Sequence, residues 1–139
     1  MIQETGSSIL EIAKLFVAAI NSTDINQLTD LMTDDHTFVD SDGQEYMGRE
    51  RMRIGWLDYF LMVPDYKIEI TDTFYNDNMV VFLGMAEGTF SEAGKLKPEN
   101  HWRVPAAWRA IVVSNKVARW QLYVNPEPMF KIFNRINKR

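Results

Sequence analysis

Residues 102–125, WRVPAAWRAIVVSNKVARWQLYVN, are the stretch from which the fold follows. Side chains alternate across a β-strand, so apolar residues at alternate positions of this stretch share one face of a sheet. Ser114-Asn115 separates two such runs and suits a two-residue turn, because Asn tolerates a positive φ angle. The stretch therefore predicts a long hairpin with two tryptophans on one face. That face carries Val104, Ala106, Trp108, Ala110 and Val112 from the first strand, and Ala118, Trp120, Leu122 and Val124 from the second.

Length and composition exclude several classes of protein. The chain has 139 residues, the length of one domain, and contains no cysteine, which excludes disulfides, thiolate nucleophiles and cysteine–zinc sites. The formal net charge is −4, with acidic and basic residues spread along the chain, so nucleic acid is not a predicted partner. No apolar run approaches the roughly 20 residues of a membrane span. Residues 1–8 lack a secretory pattern, so we expect a cytoplasmic protein without a membrane partner.

Helical spacing of apolar residues predicts three helices in the N-terminal half. Ser7 or Ser8 can cap the first helix, with Glu11 placed as in a capping box. Asp24 can cap the second, and the third covers about 49–62 before a Val-Pro pair. A short fourth helix with a basic tail is expected after the two prolines that end the hairpin.

Alternation with a period of two predicts the strands between these helices. A short strand pair precedes the third helix, and four long strands in meander order follow it. Gly84 and Gly88 are expected to mark bends or bulges, which curve a sheet. Helices segregated from an antiparallel sheet define an α+β fold, and a bent sheet leaves a hollow that suits a ligand. The predicted strands cover about 36–40, 45–47, 66–74, 79–90 and the two runs of the hairpin.

Several short segments follow one another in an order and spacing typical of one fold, and they are 24–28, 34–40, 48–50, 64–66, 104–109 and 118–123. In these segments the chain resembles the nuclear-transport-factor-2-like superfamily, and within it the SnoaL-like and ketosteroid-isomerase-like branch. The resemblance implies a cone-shaped, strongly bent antiparallel sheet wrapped on helices, the cystatin-like arrangement. It implies one domain over 1–139, with a core of about 8–126 and a helical tail at 127–139. This fold hosts isomerases, dehydratases, epoxide hydrolases, cyclases and non-catalytic adaptors.

Asp40 falls where ketosteroid isomerases of this fold carry their general base. Such a carboxylate needs an apolar cavity to raise its basicity and a donor to stabilise the enolate oxygen. The resemblance places the oxyanion tyrosine of those enzymes at Phe16 and their buried acid at about Ala106, and neither residue can donate a hydrogen bond. The residues therefore do not predict a ketosteroid isomerase, whereas a SnoaL-like cyclase that sets an acid against an aromatic wall remains open.

His36 shares a predicted strand face with Asp40 and lies about 13 Å from it at the rise of a strand. One interpretation is a divided acid/base pair in one cavity, with Phe38 between the two residues. The alternative places His36 near solvent at the end of the strand, with Asp40 capping the turn that follows.

Large apolar side chains are predicted to line the hollow, although ordinary core packing accounts for any one of them equally well. Tyr59 is the candidate hydrogen-bond donor, because a buried tyrosine hydroxyl seeks a partner. The spacing of the two histidines gives no metal motif, so neither a metal nor a cofactor is expected. The predicted ligand-binding residues are Phe16, Phe38, Trp56, Tyr59, Phe60, Ala106, Trp108, Trp120 and Leu122.

Two hypotheses about function follow. The first is an enzyme related to polyketide cyclases, isomerases or dehydratases, acting on a small apolar or aromatic molecule. Asp40 would be the general acid or base, His36 would assist it and Tyr59 would orient the ligand. The alternative is a non-catalytic ligand-binding, accessory or protein-interaction domain, which the absence of a built oxyanion site favours.

The opposite face of the predicted sheet is partly apolar. By alternation it carries Ile111, Val113, Val117 and Tyr123, and an exposed apolar patch of this kind favours burial against another surface. The resemblance implies homodimers built through that face, and two-fold symmetry is the commonest solution. We therefore expect a homodimer.

Overall fold

The computed structural model describes residues 6–138, and within that range four helices pack against one six-stranded sheet. The predicted α+β class is confirmed. A single 3₁₀ turn, Pro98–Asn100, precedes the fifth strand. The helices are α1 (Gly6–Asn21), α2 (Ile25–Asp30), α3 (Arg49–Met62) and α4 (Glu127–Asn137), and the strands are β1 (Met32–Val39), β2 (Glu45–Met47), β3 (Lys67–Asn76), β4 (Met79–Thr89), β5 (His101–Val113) and β6 (Lys116–Val124).

The sheet has the strand order β2-β1-β6-β5-β4-β3. Strands β3 to β6 form the predicted antiparallel meander. β1 instead runs parallel to β6, which joins the N-terminal strand pair to the meander. Register shifts in three strand pairs break the regular pleat. Since bulges increase local twist and bend a strand, the open sheet curls around the helices.

The turn of the central hairpin forms as predicted. Ser114 and Asn115 both have positive φ angles, 51° and 62°, as a type I′ turn requires. Beyond the turn, Val112 pairs with Val117 while Ile111 pairs with Arg119, so Ala118 is an extra residue in β6. This bulge reverses the alternation, and Val117 is fully buried. The prediction that Val117 lies on the outer face is therefore wrong.

Gly84 and Gly88 lie where other parts of the chain pack too close to leave room for a Cβ atom, and neither glycine is itself a bulge residue. A Cβ atom at Gly84 would lie 1.8 Å from the carbonyl oxygen of Glu69, beside the bulge at Thr71 in β3. A Cβ atom at Gly88 would lie 2.4 Å from Val63 Cγ1. Gly84 thus lets β3 approach β4, and Gly88 lets the end of α3 pack on the sheet.

α1 fills the narrow end of the hollow. Its apolar residues recur at helical spacing, and Ile9, Phe16 and Ile20 are completely buried against the sheet. Burying a side chain such as Phe16 stabilises the fold by about 1.5–3 kcal/mol. At the helix end, the Asn21 side chain donates to the Ile68 carbonyl at 2.9 Å and accepts from the Ile68 N–H at 2.8 Å. Asn21 therefore pairs with β3 as another strand would.

The predicted N-cap of α2 is confirmed, and the predicted N-cap of α1 is wrong. Asp24 caps α2, since its side chain accepts a hydrogen bond from the Gln27 N–H at 3.1 Å. α1 is already helical at Gly6, so Ser8 lies inside the helix instead of capping it. Within residues 6–138 no helix combines the length and apolar composition that crossing a membrane requires. The cytoplasmic location stays a prediction.

Candidate functional site

A cavity of about 790 Å³ lies between α3, α4 and the strands β1, β5 and β6. Met52, Trp56 and Tyr59 follow each other at spacings of four and three residues, which places them on one face of α3. Trp108 and Trp120 close the side formed by the central hairpin. Aromatic residues make up about half of the wall, and they are Phe38, Tyr46, Trp56, Tyr59, Tyr66, Phe90, Trp108, Trp120, Phe130 and Phe133.

α4 covers part of the mouth of this cavity. Met129, Phe130 and Phe133 line the space from α4, and the Phe133 ring lies 6.0 Å from that of Phe90. Arg135 holds the helix in place by donating to the Glu99 carbonyl at 2.9 Å and to the Asn100 side chain. The sequence predicted the helix but not its place at the cavity, although its apolar stripe indicated a face that must be covered.

Asp40 follows β1 directly and lies on the cavity wall. Its Oδ1 atom accepts a hydrogen bond from the Ser41 N–H at 2.7 Å. Its backbone N–H donates to Gln44 at 3.0 Å, and its carbonyl accepts from the Gly43 N–H at 2.9 Å. Within residues 6–138, the Oδ2 atom makes no hydrogen bond or ion pair. Asp40 therefore both caps its turn, as one interpretation predicted, and presents a carboxylate oxygen that a ligand can reach.

His36 is fully buried in the core and is not part of the cavity wall. Its Nδ1 atom donates to the Val117 carbonyl at 2.6 Å, and its ring lies 5.8 Å from that of Phe16. Nε2 is buried without a partner in the described part of the chain. The expectation that His36 lies near solvent is wrong. The structure does not bring His36 and Asp40 into one cavity, because the packing of α1 and the inward turn of Val117 enclose the imidazole.

Burial sets the charge state of His36. Desolvation lowers the pKa of the imidazole below its ordinary value of 6.5, against smaller opposite effects of the Val117 carbonyl and of Asp35. The imidazole is therefore neutral near pH 7, which suits an enclosed core residue.

Two tyrosines meet on the cavity wall. The rings of Tyr59 and Tyr66 are 5.1 Å apart and nearly perpendicular, at 85°. Burial raises the pKa of Tyr59 well above 10, and Tyr66, Asp40 and Asp65 add to this shift. Burial also raises the pKa of Tyr66, against an opposing hydrogen bond from the Trp108 side chain. Both hydroxyls stay protonated at physiological pH and can donate hydrogen bonds. Tyr66 was not predicted from the sequence, because its position just before β3 carries no local signal of a pocket.

The predicted ligand-binding residues divide into two groups. Phe16 is fully buried behind Trp120, with its ring 4.8 Å from the indole. Phe60 packs against Trp56 at 5.6 Å, and Ala106 packs against the core. None of these three residues lines the cavity, and Trp120 separates Phe16 from it. The residues that do line it are Phe38, Trp56, Tyr59, Trp108, Trp120 and Leu122.

The cavity carries few charged groups. Among the residues that line it, Asp40 and Asp42 are acidic and Arg51 is basic, and neither histidine is present. The Arg51 guanidinium lies 5.2 Å from the centroid of the Tyr46 ring. In the part of the chain that the structure describes, no three His, Asp or Glu residues are grouped so as to hold a metal ion.

Residues 13–120 match the family model described as the SnoaL-like domain. The chain belongs to that family. The match covers α1 from Ala13 onward, α2, α3, β1 to β5 and β6 as far as Trp120, and α4 lies outside it. No curated protein matches this SnoaL-like domain significantly.

Solved structures share the fold of this SnoaL-like domain. A candidate SnoaL-like polyketide cyclase from Shewanella denitrificans is 15% identical, with a TM-score of 0.78 over 91% of this chain and 97% of that one. An LEH-like epoxide hydrolase from M. tuberculosis is 13% identical, with a TM-score of 0.76 over 94% and 92%. A hypothetical protein with a ketosteroid isomerase-like fold from Catenulispora acidiphila, in complex with trimethylamine, is 24% identical, with a TM-score of 0.69 over 81% and 84%. At these identities the likeness shows the fold.

Proposed function

We propose that this SnoaL-like domain binds a small apolar or aromatic carbonyl compound in its cavity and moves a proton on it. The observation that carries the proposal is Asp40, a carboxylate with one unpaired oxygen on a wall made mostly of aromatic and aliphatic side chains. In such surroundings a carboxylate can act as a general acid or base. Cyclisation, isomerisation and dehydration of a carbonyl compound all begin with this step.

Tyr59 and Tyr66 can donate the hydrogen bond to the carbonyl oxygen that Phe16 and Ala106 cannot. When Asp40 removes a proton next to a carbonyl, negative charge develops on the carbonyl oxygen, and a neutral hydroxyl nearby stabilises it. Phe16 cannot donate a hydrogen bond, and neither can Ala106. The two phenols can, because both remain protonated. The Tyr59 hydroxyl makes no hydrogen bond within residues 6–138, which leaves it available to a ligand.

The alternative is a domain that binds a ligand without converting it. The observation in its favour is the position of His36, which lies in the core rather than on the cavity wall. Asp40 then has no imidazole partner to receive or return a proton. Under this alternative the cavity binds the same class of molecule and Asp40 only orients it.

Exchange of ketone α-protons in D₂O distinguishes the two functions. Cyclohexanone serves as a small apolar ketone, and proton NMR follows the loss of its α-proton signal with and without the protein. General-base catalysis predicts protein-dependent exchange that Asp40→Asn abolishes. Asp58→Asn, the same change on the exposed side of α3, is the matched control and should exchange as the wild type does. Exchange that survives in Asp40→Asn would remove Asp40 from the mechanism, and binding without exchange would favour the alternative.

We also propose that the outer face of the sheet forms a homodimer. Leu83, Ala107 and Tyr123 lie side by side across β4, β5 and β6. Phe74 in β3 pairs with Val81 in the next row. Phe74 is 57% exposed and Tyr123 48% exposed, so the apolar row faces solvent in the single chain. A contiguous patch of this kind suits a two-fold interface.

A further inference from the structure

We infer that the ligand of this cavity carries a positive charge, on an ammonium group with apolar substituents. The inference rests on the proposal that the cavity is the ligand site, and it adds the charge of the ligand. It follows from three features of the wall: the orientation of its rings, the unpaired carboxylate and the position of its single cation.

The aromatic rings on the α3 side pack edge to face in succession, each nearly perpendicular to the next. Phe38 and Trp56 meet at 78°, Trp56 and Tyr59 at 90°, and Tyr59 and Tyr66 at 85°, with centroids 6.3, 6.0 and 5.1 Å apart. All four rings line the cavity. Because neighbouring rings are nearly perpendicular, a group in the corner between two of them lies over the face of at least one. Aromatic faces carry negative electrostatic potential and attract cations.

Asp40 supplies the countercharge. Its Oδ2 atom is unpaired within residues 6–138, and the carboxylate lies near enough to Tyr59 to contribute to the raised pKa of that phenol. An ammonium group between the rings and Asp40 would pair with this carboxylate in surroundings that screen charge poorly. A neutral ligand would leave the charge unpaired, and an anionic ligand would be repelled by it.

Arg51, the basic residue of the wall, does not supply the positive charge between the four rings and Asp40. The Arg51 guanidinium lies over the Tyr46 ring, outside the run of four rings, and the Arg51 side chain is exposed. It shows that the rim of the cavity accommodates a cation on an aromatic face. Among the lining residues that the structure describes, no Lys or Arg other than Arg51 is present, so the inner rings are left to a ligand.

Binding of three probes of one shape tests the inference. Choline, its neutral carbon analogue 3,3-dimethylbutan-1-ol and the anion 3,3-dimethylbutanoate differ chiefly in charge. Titration calorimetry and proton NMR measure their affinities. We expect choline to bind at least about tenfold more tightly than the neutral alcohol, the ratio that one desolvated cation–π contact supplies. The anion should bind most weakly. An alcohol or anion that binds as tightly as choline overturns the inference.

Substitutions at Asp40 and Tyr59 test whether these residues cause the preference for choline. Asp40→Asn should lower the affinity for choline and leave that for the alcohol within about twofold. Tyr59→Phe keeps the ring and should keep the preference, whereas Tyr59→Leu should reduce it. Unchanged choline affinity in both Asp40→Asn and Tyr59→Leu would overturn the assignment to this wall.

A neutral dye separates this inference from the proposed function. Nile red binding reports whether the cavity is open to apolar molecules, independently of charge. If Nile red binds and choline shows no preference over the alcohol, the charge inference fails alone. If neither Nile red nor any of the three probes binds, the inference fails and the proposed ligand site fails with it.

Discussion

The ring of Tyr59 stands perpendicular to that of Tyr66, at 85° and 5.1 Å, where α3 and β3 meet on the wall of the cavity. Tyr59 lies on a face of α3, and Tyr66, seven positions further along the chain, lies just before β3. The Val-Pro pair that ends α3 reverses the chain between them and brings the two phenols together. Both tyrosines thereby line the cavity, and Tyr59 lies near enough to Asp40 for the carboxylate to contribute to its raised pKa.

The two phenols should resist titration while the protein is folded. Burial raises both pKa values above 10, so ionisation favours the unfolded chain, whose tyrosines lose protons near their ordinary value. Stability from this source is fully present below about pH 10 and is lost as the pH rises further. Absorbance at 295 nm should show Tyr59 and Tyr66 ionising only together with unfolding. Tyr59→Phe removes one late-titrating group, and an unchanged late titration in that variant would contradict the assignment.

Loss of the phenol hydroxyls should reduce catalysis more than binding. Tyr59→Phe and Tyr66→Phe remove donors that act on the charge of the transition state, so ketone exchange should fall by roughly 10²–10³-fold for the donor that contacts the oxygen. Nile red affinity should change little, since both rings remain. Tyr123→Phe, on the outer face, is the matched control. Exchange rates equal to wild type in both cavity variants would exclude a role for the phenols.

His36 should make stability depend on pH in the acid range. Its pKa is lowered in the folded protein, so the unfolded chain binds a proton that the folded one does not. Stability is full above the ordinary pKa of 6.5 and falls as the pH decreases towards the lowered value. Urea unfolding at a series of pH values measures this slope. His36→Asn can keep a donor towards the Val117 carbonyl and should flatten the slope, whereas an unchanged slope would assign the effect to other groups.

Gly84→Ala should destabilise the sheet. The added Cβ atom would lie 1.8 Å from a backbone carbonyl oxygen, so β3 and β4 must separate, at a cost of about 1–3 kcal/mol or more. Gly55→Ala provides the contrast, because its Cβ atom meets only Met52 Cε at 3.8 Å. In the interior of α3 it should stabilise the protein by about 0.5–1 kcal/mol. Equal unfolding free energies of the two variants would contradict the packing of the two strands.

Arg135→Gln should loosen α4 over the cavity. The change removes hydrogen bonds from a charged donor to Glu99 and Asn100, which weakens docking by about 1–2 kcal/mol, or roughly 5–30-fold in hydrogen-exchange protection of residues 127–138. Lys131→Gln removes only an exposed pair with Glu127 and is the control. Mass spectrometry of deuterium uptake measures both. Equal protection in the two variants would mean that Arg135 does not hold the helix.

Leu83→Arg should convert the proposed homodimer to a monomer. The substitution places a positive charge at the end of the apolar row, next to Ala107. Asp72 pairs with Leu83 on the other side and can neutralise this charge, so the long side chain acts mainly by blocking close contact of the two sheets. Light scattering after size exclusion gives the mass of the particle, which is twice 16.2 kDa for a dimer. Ile54→Arg changes an exposed residue of α3 and should leave the mass unchanged. A wild-type mass of one chain would disprove the dimer directly.

Local signals determined most of the fold. Helical spacing gave α1 and α3, a capping aspartate gave the start of α2, and the Ser114-Asn115 turn gave the central hairpin. Each of these signals depends on residues a few positions apart, so the backbone geometry of one segment suffices to read it. The place of Asp40 in the pocket was instead expected from the family resemblance, and Asp40 follows β1 directly on the cavity wall.

The tertiary structure decided what depends on distant pairings. Alternation assigns residues to the two faces of a sheet only while the register is unbroken, and the extra residue Ala118 breaks it and turns Val117 inward. The Val117 carbonyl accepts a hydrogen bond from the buried His36 side chain. Tyr66 and α4 joined the cavity because the sheet curls and the chain returns over its mouth. No local pattern encodes that curvature, since it is the sum of bulges in strands that meet only after folding.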